Sequence, residues 1–181
     1  MARTEKLEEL ISNDEIQARV KELAEEIERD YQGNELIVVS VLKGAFVFTS
    51  DLLRCLSLPS QVEFLAVSSY GSSTKSSGII KIIKDLDVNI QGKNVLLVED
   101  IVDTGLTLNY LKDNLNSRVP ASLKICTLLD KPDRRKVDIY ADYVGFVIDD
   151  YFVVGYGLDY DEYYRNMPGI NLLPEEYQQT V

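Results

Sequence analysis

The sequence predicts an α/β fold with a mainly parallel central sheet flanked by helices. Strand-like apolar runs alternate along the chain with helical patterns, the order that a parallel sheet with right-handed crossovers requires. The run Val95 to Val98 is apolar throughout, as in a strand covered on both faces. No internal repeat, low-complexity tract or linker interrupts this order, so residues 1–181 are expected to form one domain.

Ser12 and Glu15 have the spacing of a capping box, and Ile16, Val20, Leu23 and Ile27 then recur on one helical face until Gly33 offers a stop. An amphipathic helix packed on a sheet follows from that pattern. Leu36 to Val41 is a β-rich run, Leu42-Lys43-Gly44 a loop, and Ala45, Phe48 and Leu52 a helical pattern. Val62, Phe64 and Ala66 alternate like the inner face of a half-buried strand. The polar tract from Ser68 to Gly78 has the look of a mobile loop and leads to a second β-rich run, Ile79 to Ile83, so a hairpin or lid is expected over about 68–85. Leu108, Leu111 and Leu115 mark a helix that ends before Pro120, and Ser122 to Leu129 reads as another strand. Tyr143 to Ile148 and Phe152 to Val154 supply further short strands, with the C-terminal segment as an addition to the sheet.

A chain of 181 residues can bury roughly two-thirds of its unfolded surface without disulfide help. Cys55 and Cys126 lie far apart in apolar patterns and read as buried thiols, which fits a reducing cytoplasm. The N-terminus lacks an apolar signal core and no stretch reaches the length needed to cross a bilayer, so secretion and membrane insertion are not expected. The formal charge is −11 and there is no histidine, which removes the commonest general base and the commonest metal ligand. Acid–base work then falls to carboxylates, lysines or tyrosines, and oxygen-ligated magnesium becomes the natural metal. The acidic balance also disfavours nucleic acid as a partner, since affinity for a phosphate backbone needs clustered Lys and Arg.

The chemistry concentrates in Val98-Glu99-Asp100-Ile101-Val102-Asp103-Thr104-Gly105-Leu106-Thr107. Open α/β sheets bind ligands outside the carboxyl ends of their strands, which is where Glu99 and Asp100 fall. Thr104 to Thr107 would open a helix whose free N–H groups favour an anion, with the small Gly105 letting a phosphate approach the backbone. Solvated acids beside a helix start are the plain alternative for Glu99 and Asp100, and Asp103 could equally be a helix N-cap. A third carboxylate around one anion cradle needs a further reason. A ribose with free hydroxyls, a phosphate at one end and magnesium at the other would give each group a partner.

This stretch is similar to the phosphoribosylpyrophosphate signature of the type I phosphoribosyltransferases, and close to their hypoxanthine-guanine branch. Four further segments agree in order and spacing: Val41-Leu42-Lys43-Gly44-Ala45, Ser69-Tyr70-Gly71, Leu128-Leu129-Asp130-Lys131, and Phe152 to Tyr160 with Arg165 beyond. Together they cover the chain from about Val38 to Arg165. The resemblance implies the type I fold, with a flexible hairpin lid and a small hood from the terminal segments. It implies transfer of a phosphoribosyl group to hypoxanthine or guanine with Mg2+ as cofactor, in a cytoplasmic homodimer or homotetramer.

Residue by residue, the resemblance implies that Glu99 and Asp100 hold the ribose hydroxyls and the magnesium shell. Asp103, Thr104, Gly105, Leu106 and Thr107 would hold the 5′-phosphate, and Asp103 matches the base proposed to take the purine N7 proton. An ordinary Asp is a poor base near neutral pH, so the site must raise its pKa or let it accept the proton only as the transition state develops. Lys43 and Gly44 match the pyrophosphate loop, whose Leu-Lys peptide is characteristically cis. Arg165 matches a second pyrophosphate contact, although a structural ion pair is a fair rival for it. Lys131 matches the donor to the purine 6-oxo group, which selects 6-oxopurines over adenine because an amino group there would oppose two donors. Phe152 matches the aromatic that stacks on the base, Val153 and Asp159 lie beside it, and Asp159 also matches a magnesium ligand. Ser69 and Tyr70 open the lid, whose closure would keep water from the ribosyl centre. Leu106 stands where some relatives carry lysine, leaving backbone amides as the main grip on phosphate.

Two other classes compete. A regulator could keep the phosphoribosylpyrophosphate site as a sensor and bind DNA or RNA elsewhere, but the chain lacks basic helices. A receiver-like signalling domain also places acids and magnesium at strand ends, yet it has no use for Lys131 or the Phe152 segment.

Overall fold

The computed structural model describes residues 7–69 and 80–174. Its larger sheet has six strands in the order β4-β3-β2-β5-β6-β7, where β2 is Leu36–Leu42, β3 Ser60–Ser69, β4 Ile80–Lys84, β5 Asn94–Val102, β6 Ser122–Asp130 and β7 Tyr143–Val147. Every neighbouring pair is parallel except β3 with β4, the expected hairpin. A second sheet of three antiparallel strands joins β1, Glu8–Ile11, to β9, Ile170–Leu172, and β9 to β8, Val153–Val154. Both ends of the described chain therefore meet in one small sheet, which matches the expected hood.

Helix α1, Asn13–Asp30, begins where the sequence indicated: Ser12 caps it and Glu15 returns the bond to the Ser12 backbone. Ile16, Val20, Leu23 and Ile27 are fully buried. Each such side chain contributes ~1.5–3 kcal/mol by leaving water, against ~1 kcal/mol for the cap, so packing rather than capping holds this helix. With helix α2, Phe46–Cys55, it covers one sheet face around Val38, Leu96, Val98 and Leu128. Helix α3, Leu106–Asn116, covers the other around Val39, Val95, Leu97 and Ile125.

Strand β3 departs from expectation. Its inward residues are Glu63 and Leu65, whereas Val62 and Phe64 are exposed. Val62 pairs in register with Val38 and so lies on the face of α1 and α2, but Val38 is packed among those helices and Val62 is not. On the opposite face Leu65 is closed in by Leu86, Val88 and Ile90. Alternation in the sequence showed a two-faced strand, but which face met cover was decided by the reach of the helices.

Cys126 is buried and Cys55 partly so, and both are free thiols. No helix among the described residues is long and apolar enough to cross a membrane. The chain runs from β2 to β3 on one side and from β5 to β6 on the other. The boundary between β2 and β5 is thus the switch point where open sheets leave a crevice beyond their strand ends.

Candidate functional site

Three segments far apart in sequence meet at that crevice. The end of β2 delivers Lys43 and Gly44, β5 delivers Glu99 and Asp100, and the turn after β8 delivers Gly157. A Cβ at Gly44 would fall 1.5 Å from Asp100 Oδ2, and one at Gly157 would fall 2.2 Å from Gly44 O. Gly157 cannot carry a side chain while the segments stay together, and one at Gly44 would push the Asp100 carboxylate aside. The Leu42–Lys43 peptide is cis, as the resemblance implied.

After β5 the chain passes Asp103 and Thr104 and enters α3 through Gly105, whose φ of +78° is left-handed. A Cβ there would lie 2.6 Å from Ile139 Cγ2, so the glycine serves the turn and its packing on the 137–139 segment. Asp103 is not the N-cap: that position is Gly105, with no side-chain cap. The first amides of α3 remain available to an anion, with Leu106 N reaching Thr104 Oγ1 only at 3.5 Å and Thr107 within the first turn.

A cavity of about 520 Å³ opens beside this turn and is lined by Asp100, Asp103, Lys131, Phe152, Val153 and Asp159, together with Ile101, Arg134, Asp150, Tyr151 and Leu158. Lys131 is buried rather than part of a surface turn, its ammonium donating to Tyr151 O and lying 3.8 Å from Asp150. Phe152 presents a half-exposed ring that meets Tyr160 edge to face at 5.6 Å. Asp103 accepts from Arg134 Nε at 2.9 Å.

Glu99 and Asp100 are acids held against their preference. Burial pushes Glu99 well above the usual carboxylate range, with Asp100 adding to it, and burial pushes Asp100 up to about 6. Among the described residues only Glu99 Oε2 and Arg165 Nε are buried side-chain polar atoms without a partner. Both belong to the predicted site, and buried orphans of this kind ask for a ligand. Arg165 is otherwise well held: Nη1 donates to Gly157 O at 2.8 Å and Nη2 pairs with Asp159 at 2.8 Å and Glu162 at 3.2 Å. Lys43 Nζ pairs with Glu162 at 2.9 Å.

The structure thus brings Asp100, Asp103, Lys131, Phe152, Val153 and Asp159 to one cavity, with Lys43, Gly44, Glu99 and Arg165 at its side. It does not gather Glu99, Asp100 and Asp159 into a cage: among the described residues no group of three or more acids, cysteines or histidines could hold a metal ion. Ser69 ends β3, and Tyr70 lies outside the described residues.

Sequence reasoning passed over Arg135. Its guanidinium donates to Val102 O at 2.7 Å, Lys131 O at 3.3 Å and Asp103 O, and pairs with Asp130. One planar fork therefore ties the end of β5 to the end of β6, fixing Asp103 against Lys131. Adjacent arginines in so acidic a chain were the available signal, but nothing local said which of Arg134 and Arg135 turned inward.

The phosphoribosyl transferase domain family matches residues 7–161. The hypoxanthine-guanine phosphoribosyltransferase of Mycobacterium avium is 54% identical over 177 residues, covering 94% of this chain and 87% of that protein. The enzyme of the same description from Bacillus subtilis is 52% identical over 170 residues, covering 93% and 94%. Among solved structures, a hypoxanthine-guanine phosphoribosyltransferase from Bacillus anthracis, with a HEPES molecule in its active site, superposes with a TM-score of 0.90 at 53% identity, over 93% of this chain and all of that one. The Trypanosoma cruzi hypoxanthine phosphoribosyl transferase superposes at 0.91 with 45% identity, over 98% and 97%.

Proposed function

The chain belongs to the phosphoribosyl transferase family, in its hypoxanthine-guanine branch, and from that premise we propose that residues 1–181 form one purine-salvage domain in which the cavity beyond β5 joins phosphoribosylpyrophosphate to a 6-oxopurine. The purine bonds to ribose C1 as pyrophosphate leaves, giving IMP from hypoxanthine or GMP from guanine. One observation carries the reading: Lys131, Phe152 and Asp103 line the same cavity that borders the open start of α3.

Lys131 is the donor to the 6-oxo group. Its ammonium is fixed by Tyr151 O but keeps further hydrogens, and an adenine amino group would leave a buried donor unsatisfied. Phe152 offers its ring to the base plane, with Val153 beside it, and Asp103 takes the N7 proton. Arg134, hydrogen-bonded to Asp103, must yield or share that carboxylate as the purine enters. The amides from Gly105 to Thr107, with the Thr104 and Thr107 hydroxyls, hold the 5′-phosphate. Leu106 adds no charge there. Lys43, the Gly44 amide and Arg165 hold the pyrophosphate and stabilise the negative charge that grows on it.

The residues fit Mg2+ as cofactor. Glu99 Oε2 is a buried oxygen without a donor, and Asp100 is a neighbouring, partly buried acid that faces the cavity. One or two carboxylates suffice for an ion that completes its shell with substrate phosphates and water. Glu99 and Asp100 would hold it, with Asp159 at a second position; when bound it supplies charge neutralisation on the departing diphosphate.

A homodimer or homotetramer is part of the proposal, supported by Phe46, Val62, Phe64 and Ile83, which are large apolar side chains left exposed on α2, β3 and β4. Sedimentation would show a mass above the 20.5 kDa chain, and a monomer would remove this element.

The test is purified protein with magnesium and phosphoribosylpyrophosphate, offered hypoxanthine, guanine, xanthine and adenine in turn while nucleotide formation is followed. Turnover with hypoxanthine or guanine and none with adenine is expected. Donor binding without turnover on any base would leave the sensor reading standing instead.

A further inference from the structure

Lys43 and Arg165 lie 122 residues apart in the chain, and one side chain touches both. Glu162 Oε1 lies 2.9 Å from Lys43 Nζ, and Glu162 Oε2 lies 3.2 Å from Arg165 Nη2. The two oxygens of one carboxylate thus span the cations to which the proposed function assigns pyrophosphate. We infer that Glu162 competes with pyrophosphate for Lys43 and Arg165, so that the diphosphate binds by displacing an internal anion and leaves as that anion returns. This rests on the reading of Lys43 and Arg165 as pyrophosphate ligands.

The partners differ in freedom. Arg165 is only 19% exposed and is locked to Gly157 in both directions, Nη1 to Gly157 O at 2.8 Å and Gly157 N to Arg165 O at 3.0 Å. Glu162 and Lys43 are 62% and 64% exposed. Displacement therefore moves the acid and the lysine tip, not the arginine. The turn that carries Glu162 is closely specified: Asp161, Glu162 and Tyr164 all have left-handed backbone, with φ of 51°, 66° and 73°, and Glu162 N donates to Asp159 Oδ2 at 2.9 Å. Non-glycine residues adopt that conformation in succession only where surrounding bonds impose it. The imposed shape aims the carboxylate between the two cations.

The strengths suit exchange. Ion pairs between exposed side chains are weak, whereas a diphosphate presents several charged oxygens to the same donors and binds them more strongly. Glu162 consequently cannot block the substrate. It can take back part of the binding energy that would otherwise be spent equally on substrate and product, and so keep pyrophosphate from lingering.

The opposite role is equally concrete. If Glu162 only oriented the cations, removing its charge would loosen them and weaken pyrophosphate. Isothermal titration of the full-length protein with pyrophosphate and magnesium separates the two. In Glu162→Gln the Kd should fall about fivefold, the size expected from losing the exposed pair with Lys43 and the longer contact with Arg165, which Asp159 still holds at 2.8 Å, and KM for phosphoribosylpyrophosphate should fall with it while KM for hypoxanthine stays. Asp161→Asn removes the same charge from the same turn and should change neither. Unchanged or weaker pyrophosphate binding in Glu162→Gln would overturn the inference, as would equal tightening in both variants, which would mean a general field effect. Wild-type protein that binds no pyrophosphate and forms no nucleotide would overturn the assignment of the site itself.

Discussion

At the end of β5 two carboxylates are half-buried and Glu99 leaves one oxygen without a partner, while Lys43 and Arg165 beside them already have acids to hold. One side has only the field of Arg165 against its burial, and the other has its ion pairs in place. On the proposed assignment, the difference teaches how an acidic chain could handle a highly anionic donor: its own negative charge would sit where a metal can answer it, and the two cations facing the donor would be covered by anions that the donor replaces. The sheet beneath carries neither problem, being apolar on both faces from Val95 to Val98.

Asp103→Ala tests the chemistry between the two sides. Turnover should fall by about 10²–10⁴-fold, the range for loss of a positioned proton acceptor, with circular dichroism and thermal midpoint unchanged. Near-normal turnover would remove Asp103 as the base. Lys131→Ala should raise KM for hypoxanthine by about tenfold or more, from loss of a buried charge-assisted bond, with selectivity against adenine relaxed and donor KM little changed. A matching rise in donor KM would mean that Lys131 supports the whole pocket instead.

Asp100→Asn sharpens the contrast directly. The folded pKa of Asp100 is raised from 3.8 to about 6, so between those values the unfolded chain loses its proton first and stability falls as pH rises. The carboxylate therefore costs nothing below about pH 4 and its full penalty above about pH 6. The substitution should stabilise the ligand-free protein at pH 7 by on the order of 1–3 kcal/mol, seen as a higher thermal midpoint, and do nothing at pH 4. Loss of midpoint at pH 7 would show Asp100 to be a structural contact. The smallest effect is expected far from either side: Ser12→Ala should cost ~1 kcal/mol of stability through the lost cap and leave every kinetic constant alone.

The helices and strands that bear the sheet were legible because their signals are local. Ser12 with Glu15 announces α1, and the run before Glu99 announces a strand covered on both faces. The inward face of β3 was not, since Val62 and Leu65 are equally apolar and only the reach of α1 and α2 decides between them. Strands β1 and β9 were missed for a related reason: each is short and finds its partner at the other end of the chain. In the site, the strand-end acids, Lys131 and Phe152 could be read through the resemblance. Glu162 and Arg135 could not, because their roles lie in partners 119 and 33 residues away.

The contact among Gly44, Asp100 and Gly157 bears on how this protein can change. Loops from three distant parts of the gene share the room left by two missing side chains. A library randomised at Gly157 alone should return almost only glycine, whereas one at Gly44 should return only variants in which the Asp100 carboxylate turns aside. A change in one of these segments therefore has to be answered in its neighbour, by the Asp100 side chain beside Gly44 and by the Gly44 backbone beside Gly157.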